Sequence, residues 1–278
     1  MALALLCLGP VPAALGQSES GGLPAPSDIA IGDTTYAELI AMALPGALET
    51  DEFIVVEKDV AVPHIEGPDF TVVAPAPVTV ADFNGVGLSI DGEPHLALMI
   101  ELAEAPNSAG PIAALAVFDV TGAPELVDVV DIGFDRQSGF ALPPTLQVGW
   151  GHELILGFNS HGNAGQFYNA ITIVDVVEGR LTMVDQILTL DVTSCEETRR
   201  QYLDYVVATP EGDGKGDFTV IVRDVLEPSD EACPAGDGPY MTGETSYSVE
   251  YRWDESAGRY VAQGEGWAEF DEMNSARF

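Results

Sequence analysis

Basic residues are what this chain has least of. Ten lysines and arginines stand against 45 aspartates and glutamates, for a formal net charge of −35 over 278 residues. Such a surface repels phosphate backbones and anionic membranes, which excludes nucleic acid as a partner. It favours cations, cationic peptides or a salty habitat. Self-repulsion is screened over about 8 Å in physiological salt and becomes serious only as salt is removed. No apolar run reaches the roughly 20 residues that a transmembrane helix needs, so no transmembrane segment is expected. Histidine is scarce, and His64, His95, His152 and His161 show no zinc-ligand spacing. Catalytic signatures are missing as well. Ser160 in GFNSHG is one residue out of register for G-x-S-x-G and falls in an expected polar loop, and GDGKGD lacks the Lys-Ser/Thr ending of a phosphate loop. Among 45 acids any carboxylate pair is unremarkable, so glycoside chemistry stays open.

The first sixteen residues, MALALLCLGPVPAALG, carry no charge and read as the apolar part of a signal peptide. Ala14 and Gly16 suit the −3 and −1 positions of a cleavage site before Gln17. The expected location is therefore periplasmic or extracellular. Cys7 would leave with the leader, and the remaining pair, Cys195 and Cys233, reads as a disulfide in an exporting context. Between them lie QYLDYVVATP and DFTVIVRDV, two β-like runs joined by the turn-rich EGDGKG. If these pair as a hairpin, the cysteines fall near its open end, where a bridge would contribute at most about 4 kcal/mol. Ser194 and Glu197 in SCEETRR have capping-box spacing, which points to a helical turn there.

Along the chain, residues 17–32 look like an exposed linker, and 33–278 like a single β-repeat domain. Thr35 and Glu38 form a capping box that opens a helix over roughly 35–44, ended by Pro45-Gly46. Leu39, Ile40, Ala43 and Leu44 would cover its buried face. After that, β signals dominate. One unit appears three times, over roughly 78–132, 146–188 and 201–263. Its leading runs are HLALMIEL, ELILGFN and DFTVIVRD; ALAVFDV, AITIVDV and SYSVEYRW follow; ELVDVVDI, RLTMVDQI and RYVAQGE close it. Continuous apolar runs such as HLALMI imply strands covered on both faces. SYSVEYRW alternates instead, with Tyr247, Val249, Tyr251 and Trp253 on one face. In YRWDESAGRYV, Trp253 and Tyr260 are placed to pack across a hairpin with Gly258 in its turn. The expected class is all-β, mainly antiparallel, built from repeated four-strand meanders arranged as a propeller or a sandwich, with one short N-terminal helix.

The stretch ADFNGVGLSIDGEPHLALMI resembles the calcium-loop-plus-strand element of FG-GAP/VCBS-type secreted β-repeats. Asp82, Asn84 and Gly87 match the loop, and Asp91 or Glu93 would close the site. Val86 stands where the family carries an acid, and His95 where it usually carries Asp. EGDGKGDFTVIV, with Asp213 and Asp217 but Lys215 in the loop, is a poorer second echo. The resemblance implies a Ca2+ site of oxygen ligands and a secreted module for adhesion or binding.

Together these readings describe an exported, non-catalytic β-repeat protein, a binding or envelope-associated module with a protein or glycan ligand. Two alternatives remain at this point: a secreted hydrolase using carboxylates or a bound cation, and an acidic inhibitor of a cationic secreted protein.

Overall fold

A computed structural model describes residues 24–50, 53–103, 112–134, 137–163, 166–193, 197–208, 214–228 and 242–275. The expected signal peptide and the expected Cys195–Cys233 bridge lie outside the described residues.

The chain is all-β and antiparallel. It enters through a small hairpin, β1 (Ile29–Ile31) with β2 (Thr34–Thr35), so the exposed linker expected over 17–32 stops short: Ala30 is already buried. Helix α1 (Tyr36–Ala43) follows. Its capping box is complete, because Thr35 Oγ1 accepts from Glu38 N at 3.2 Å and Glu38 Oε2 accepts from Thr35 N at 2.8 Å. Each capped end group removes an orphan donor from the first turn. Next come β3 (Ala47–Glu49), β4 (Ile54–Val56) and a minor pair, β5 (Val60–Ala61) with β6 (Val73–Ala74).

Three four-strand meanders make up the rest. The first is β7 (Val78–Ile90), β8 (Glu93–Leu102), β9 (Ala113–Asp119) and β10 (Glu125–Asp131). The second is β11 (Gln137–Gly149), β12 (His152–Asn163), β13 (Gln166–Val177) and β14 (Arg180–Thr193). The third is β15 (Glu197–Val207), β16 (Phe218–Pro228), β17 (Gly243–Asp254) and β18 (Arg259–Ala262). HLALMIEL, ELILGFN and DFTVIVRD thus occupy the second strand of each meander, and ALAVFDV, AITIVDV and SYSVEYRW the third.

Of the two arrangements left open by the sequence, the meanders adopt the stacked one. The first joins β4 and β3 in a six-stranded sheet, and the second and third merge into an eight-stranded sheet ordered β11 to β18. The six-stranded sheet is buried on both faces, which is why β8 reads as an unbroken apolar run. Leu96, Leu98 and Ile100 pack under α1 with Leu39 and Ile40, whereas Ala97 and Met99 meet Ile155, Val174 and Val176 of the larger sheet. Each such side chain contributes about 1.5–3 kcal/mol relative to exposure. The larger sheet curls, so that β11, β14, β17 and β18 all contribute to one inner core. Trp253 and Tyr260 sit opposite each other in register, ring centroids 5.3 Å apart and edge to face.

Two local expectations are corrected. Residues 198–200, expected in a helical turn, are strand: Glu197 to Val207 pair with Pro228 to Phe218, and eleven cross-strand partners outweigh one capping box. A second helix, α2 (Ala268–Ser275), was not foreseen. It buries only Phe270 and Asn274, so it exists by docking into the curled sheet and not by its own periodicity. Among the described residues no helix is long and apolar enough to cross a membrane.

Candidate functional site

The calcium ligands expected from the sequence are not brought together. Asp82 and Asn84 lie on β7, opposite Glu101 and Met99 of β8, and Asp82 Oδ1 accepts from the adjacent Phe83 N at 2.8 Å. Asp91 and Glu93 flank the turn at the far end of the same hairpin. Seven residues of strand at about 3.3 Å each put Asn84 on the order of 20 Å from Asp91. The expected loop is straightened because Phe83 and Leu88 are drawn into the two cores that cover this sheet. Among the described residues no group of three or more His, Cys, Asp or Glu is placed to hold a metal ion.

Asp91 instead ends a chain of four polar side chains. Its Oδ1 lies 3.0 Å from His152 Nδ1; His152 Nε2 lies 2.7 Å from Asp175 Oδ1; Asp175 Oδ2 lies 2.9 Å from Lys215 Nζ. Each ring nitrogen of His152 thus has one carboxylate oxygen within hydrogen-bond distance. Lys215 Nζ also sits 4.1 Å from the centroid of the Trp253 ring. His152 and Asp175 are almost wholly buried, at 3% and 1% side-chain exposure, whereas Asp91 is 76% exposed. The node draws Asp91 from the first meander, His152 and Asp175 from the second and Lys215 from the third, and its approach depends on Gly151. That residue has φ +71°, and a Cβ there would stand 2.8 Å from Gly92 Cα. Sequence reading missed the node because its members are 61, 23 and 40 residues apart along the chain. Lys215, which spoiled the second calcium echo, has its explanation here.

The second and third meanders meet at an incomplete joint. β14 and β15 pair only through Asp191, Val192 and Thr193 with Arg200, Arg199 and Thr198. Beyond that point two side-chain amides replace the ladder. Gln201 Oε1 accepts from Leu190 N at 2.8 Å, Gln201 Nε2 donates to Asn274 Oδ1 at 2.8 Å, and Asn274 Nδ2 donates to the Leu188 carbonyl at 3.2 Å. Helix α2 is thus stitched into the gap by Asn274. Alongside it opens a cleft of about 440 Å³, within the size range of small-molecule sites. Phe134, Tyr168, Leu188 and Leu190 supply apolar wall, and Gln186, Asp271, Asn274 and Ser275 the polar groups. Phe134 and Leu188 are exposed. Tyr168 is steadied by His161, stacked at 5.1 Å and 9°.

Ser160 and His161 do not form a nucleophile–base pair. They lie on the strand β12 and not in the loop expected there, so consecutive side chains point to opposite faces. Ser160 Oγ donates to Gln137 Oε1 at 3.2 Å.

Burial pushes several carboxyls above the usual range. Asp131 is raised by burial, despite bonds from Gly133 N at 2.8 Å and Ala113 N at 3.0 Å. Glu101 is raised by burial and further by Asp82, and Asp271 by partial enclosure and then by Asp185. Asp119 and Asp254 are lowered by bonds from Thr121 and Ser256. A raised acid keeps its proton in the folded state where the unfolded chain has lost it, so stability falls as pH rises from the ordinary carboxylate value through the folded one. The expected result is a higher melting temperature at about pH 5 than at about pH 7, with the gain lost below the ordinary carboxylate range as Asp119 and Asp254 protonate. Asp131→Asn, which retains the Oδ1 acceptor, is expected to flatten that slope. Thermal denaturation across pH checks both, and an unchanged slope in the variant would remove Asp131 from the account.

Comparison with protein-family models, with curated proteins and with solved structures finds no match to this chain.

Proposed function

We propose that this chain is an exported, non-catalytic binding module whose ligand occupies the cleft between β14 and α2. The observation that carries the reading is the interrupted ladder at the joint of two meanders. Beside the gap, where continued pairing would have closed the sheet, the cleft presents Phe134 and Leu188 next to polar groups. Pockets that combine apolar walls with a few convergent polar groups are the usual form of small-ligand sites. The other concentration of charged groups, the His152–Asp175 node, supports catalysis poorly. Its central groups, His152 and Asp175, are buried and engaged with their neighbours in the node. The apolar leader supports export.

A neutral solvatochromic dye such as Nile red tests the site. One dye per chain should bind with a blue-shifted emission, and Leu188→Trp, which places an indole across the opening, should weaken binding at least about tenfold, or ~1.4 kcal/mol. Binding at several equivalent sites, or binding indifferent to Leu188→Trp, overturns the reading.

A further inference from the structure

We propose that Lys215 and Asp175 form a modification site within the chain, where ammonium and carboxylate condense with loss of water to an amide that ties the third meander to the second. The ion pair seen in the structure is the reactant. Three observations carry it.

First, the backbone holds the two groups in place. Asp175 lies within β13, opposite Thr182 of β14. Lys215 bridges to Gly149, and Gly216 N donates to the Val148 carbonyl. Nζ then stands 2.9 Å from Asp175 Oδ2 and 3.3 Å from Oδ1. That leaves Cγ about 3–3.5 Å from Nζ, the separation of a near-attack arrangement, in which fixed neighbours react as if very concentrated. Second, the pair is enclosed. Asp175 has 1% of its side chain exposed and Lys215 14%, and the Trp253 ring centroid lies 4.1 Å from Nζ. In water an amide is disfavoured against its separated ions, but burial penalises two ions far more than one neutral amide. Among the ion pairs of the described residues this is the one whose cation is lysine; the others use arginine or histidine. A guanidinium stays protonated and offers no amine. Third, a proton carrier is in place, because His152 Nε2 lies 2.7 Å from Asp175 Oδ1.

One ammonium proton passes to Oδ2 and frees the Nζ lone pair. The Nζ–Cγ bond forms and the Cγ–Oδ1 bond breaks, with Oδ1 leaving as water. His152 passes to Oδ1 the protons shed by Nζ and Oδ2, and ends as it began. Of the three ammonium protons, two leave in the water and one stays on the amide, with no oxidant or outside reactant. The burial that denies this node to an outside substrate suits a reaction between its own members. The bond would also close the far end of the joint at which β14 and β15 pair only through Asp191, Val192 and Thr193.

A peptide map of the full-length chain tests this, after unfolding in guanidinium chloride and digestion with trypsin, which cuts after unmodified lysine and arginine. A free Lys215 yields separate peptides 137–180, 201–215 and 216–223. The amide should instead yield 137–180 joined to an uncut 201–223, lighter than their sum by one water. Lys215→Arg, which keeps the cation without the amine, should yield no joined peptide. In a time course of cell-free synthesis, His152→Gln should form the joined peptide at least about tenfold more slowly. A wild-type chain cut completely after Lys215 overturns the bond, whatever the variants do. A joined peptide that survives in Lys215→Arg, or whose fragments place the link away from Asp175, overturns the assignment of the site. Equal rates in His152→Gln and wild type would remove His152 as the proton carrier.

Discussion

Replacing Asp175 with alanine is expected to lower the unfolding free energy by about 3–5 kcal/mol, the usual consequence of removing one partner from a buried ion pair. Asp175 has 1% of its side chain exposed, lies 2.7 Å from His152 Nε2 and accepts from Lys215 Nζ at 2.9 Å. Without it, His152 Nε2 and the Lys215 ammonium lose their shared acceptor in a largely buried space. The same logic predicts a much smaller effect at the other end of the chain. Asp91 is 76% exposed, and Asp91→Ala should cost only about 0–1 kcal/mol, as exposed pairs do. Urea denaturation of the two variants gives the contrast directly. A loss below about 1 kcal/mol in Asp175→Ala would mean that water reaches the node, and its role in joining the three meanders would fall with it.

That node also marks the boundary of what the sequence makes legible. Features encoded by neighbours in the chain were readable. The Thr35–Glu38 capping box, the double-sided apolar run Leu96 to Leu102, the alternation of Tyr247, Val249, Tyr251 and Trp253, and the Trp253–Tyr260 pair all depend on spacings of a few residues, and each appears in the fold. The meander order was readable for a related reason, since antiparallel neighbours joined by short turns keep sequence order. Asp91, His152, Asp175 and Lys215 carry no shared local pattern, and only the stacking of one sheet on the other brings them together. The calcium expectation failed on the same ground. Asp82, Asn84, Asp91 and Glu93 looked close along the chain, but a strand spreads residues out where a loop would gather them. The cleft was hidden for a further reason. It arises where pairing stops, at Asp191 and Arg200, and strand propensity gives no sign of where two adjacent strands will part. Asn274, whose amide replaces the missing ladder, looked like an ordinary polar residue near the end of a short acidic segment.

Phe270→Ala is expected to cost about 3–5 kcal/mol, the range for emptying a buried aromatic site, and to do so by releasing α2. An eight-residue helix is too short to persist in water on its own, and although Glu269 and Asp271 suit its first turn, it carries no basic residue in its last. Its hold on the sheet comes from two aromatic anchors and one amide. Phe270 is 1% exposed, 5.3 Å from the Tyr247 ring and 5.7 Å from Trp267; Trp267 Nε1 donates to Tyr251 OH at 2.8 Å; Asn274 serves the Leu188 carbonyl. Once Phe270 is gone, the remaining contacts have to hold the helix against its own entropy of ordering, at about 1–2 kcal/mol of backbone freedom per residue. The Leu190 amide and the Leu188 carbonyl then lose the side-chain network that stands in for β15, so amide exchange at Leu190 should accelerate well beyond that of Val220 in the inner core. Since Asp271 and Asn274 ride on the same helix, the cleft should lose its dye affinity together with the stability. A stability loss below about 1 kcal/mol, with Leu190 still protected, would show that the sheet closes its own gap and that α2 is not part of the site.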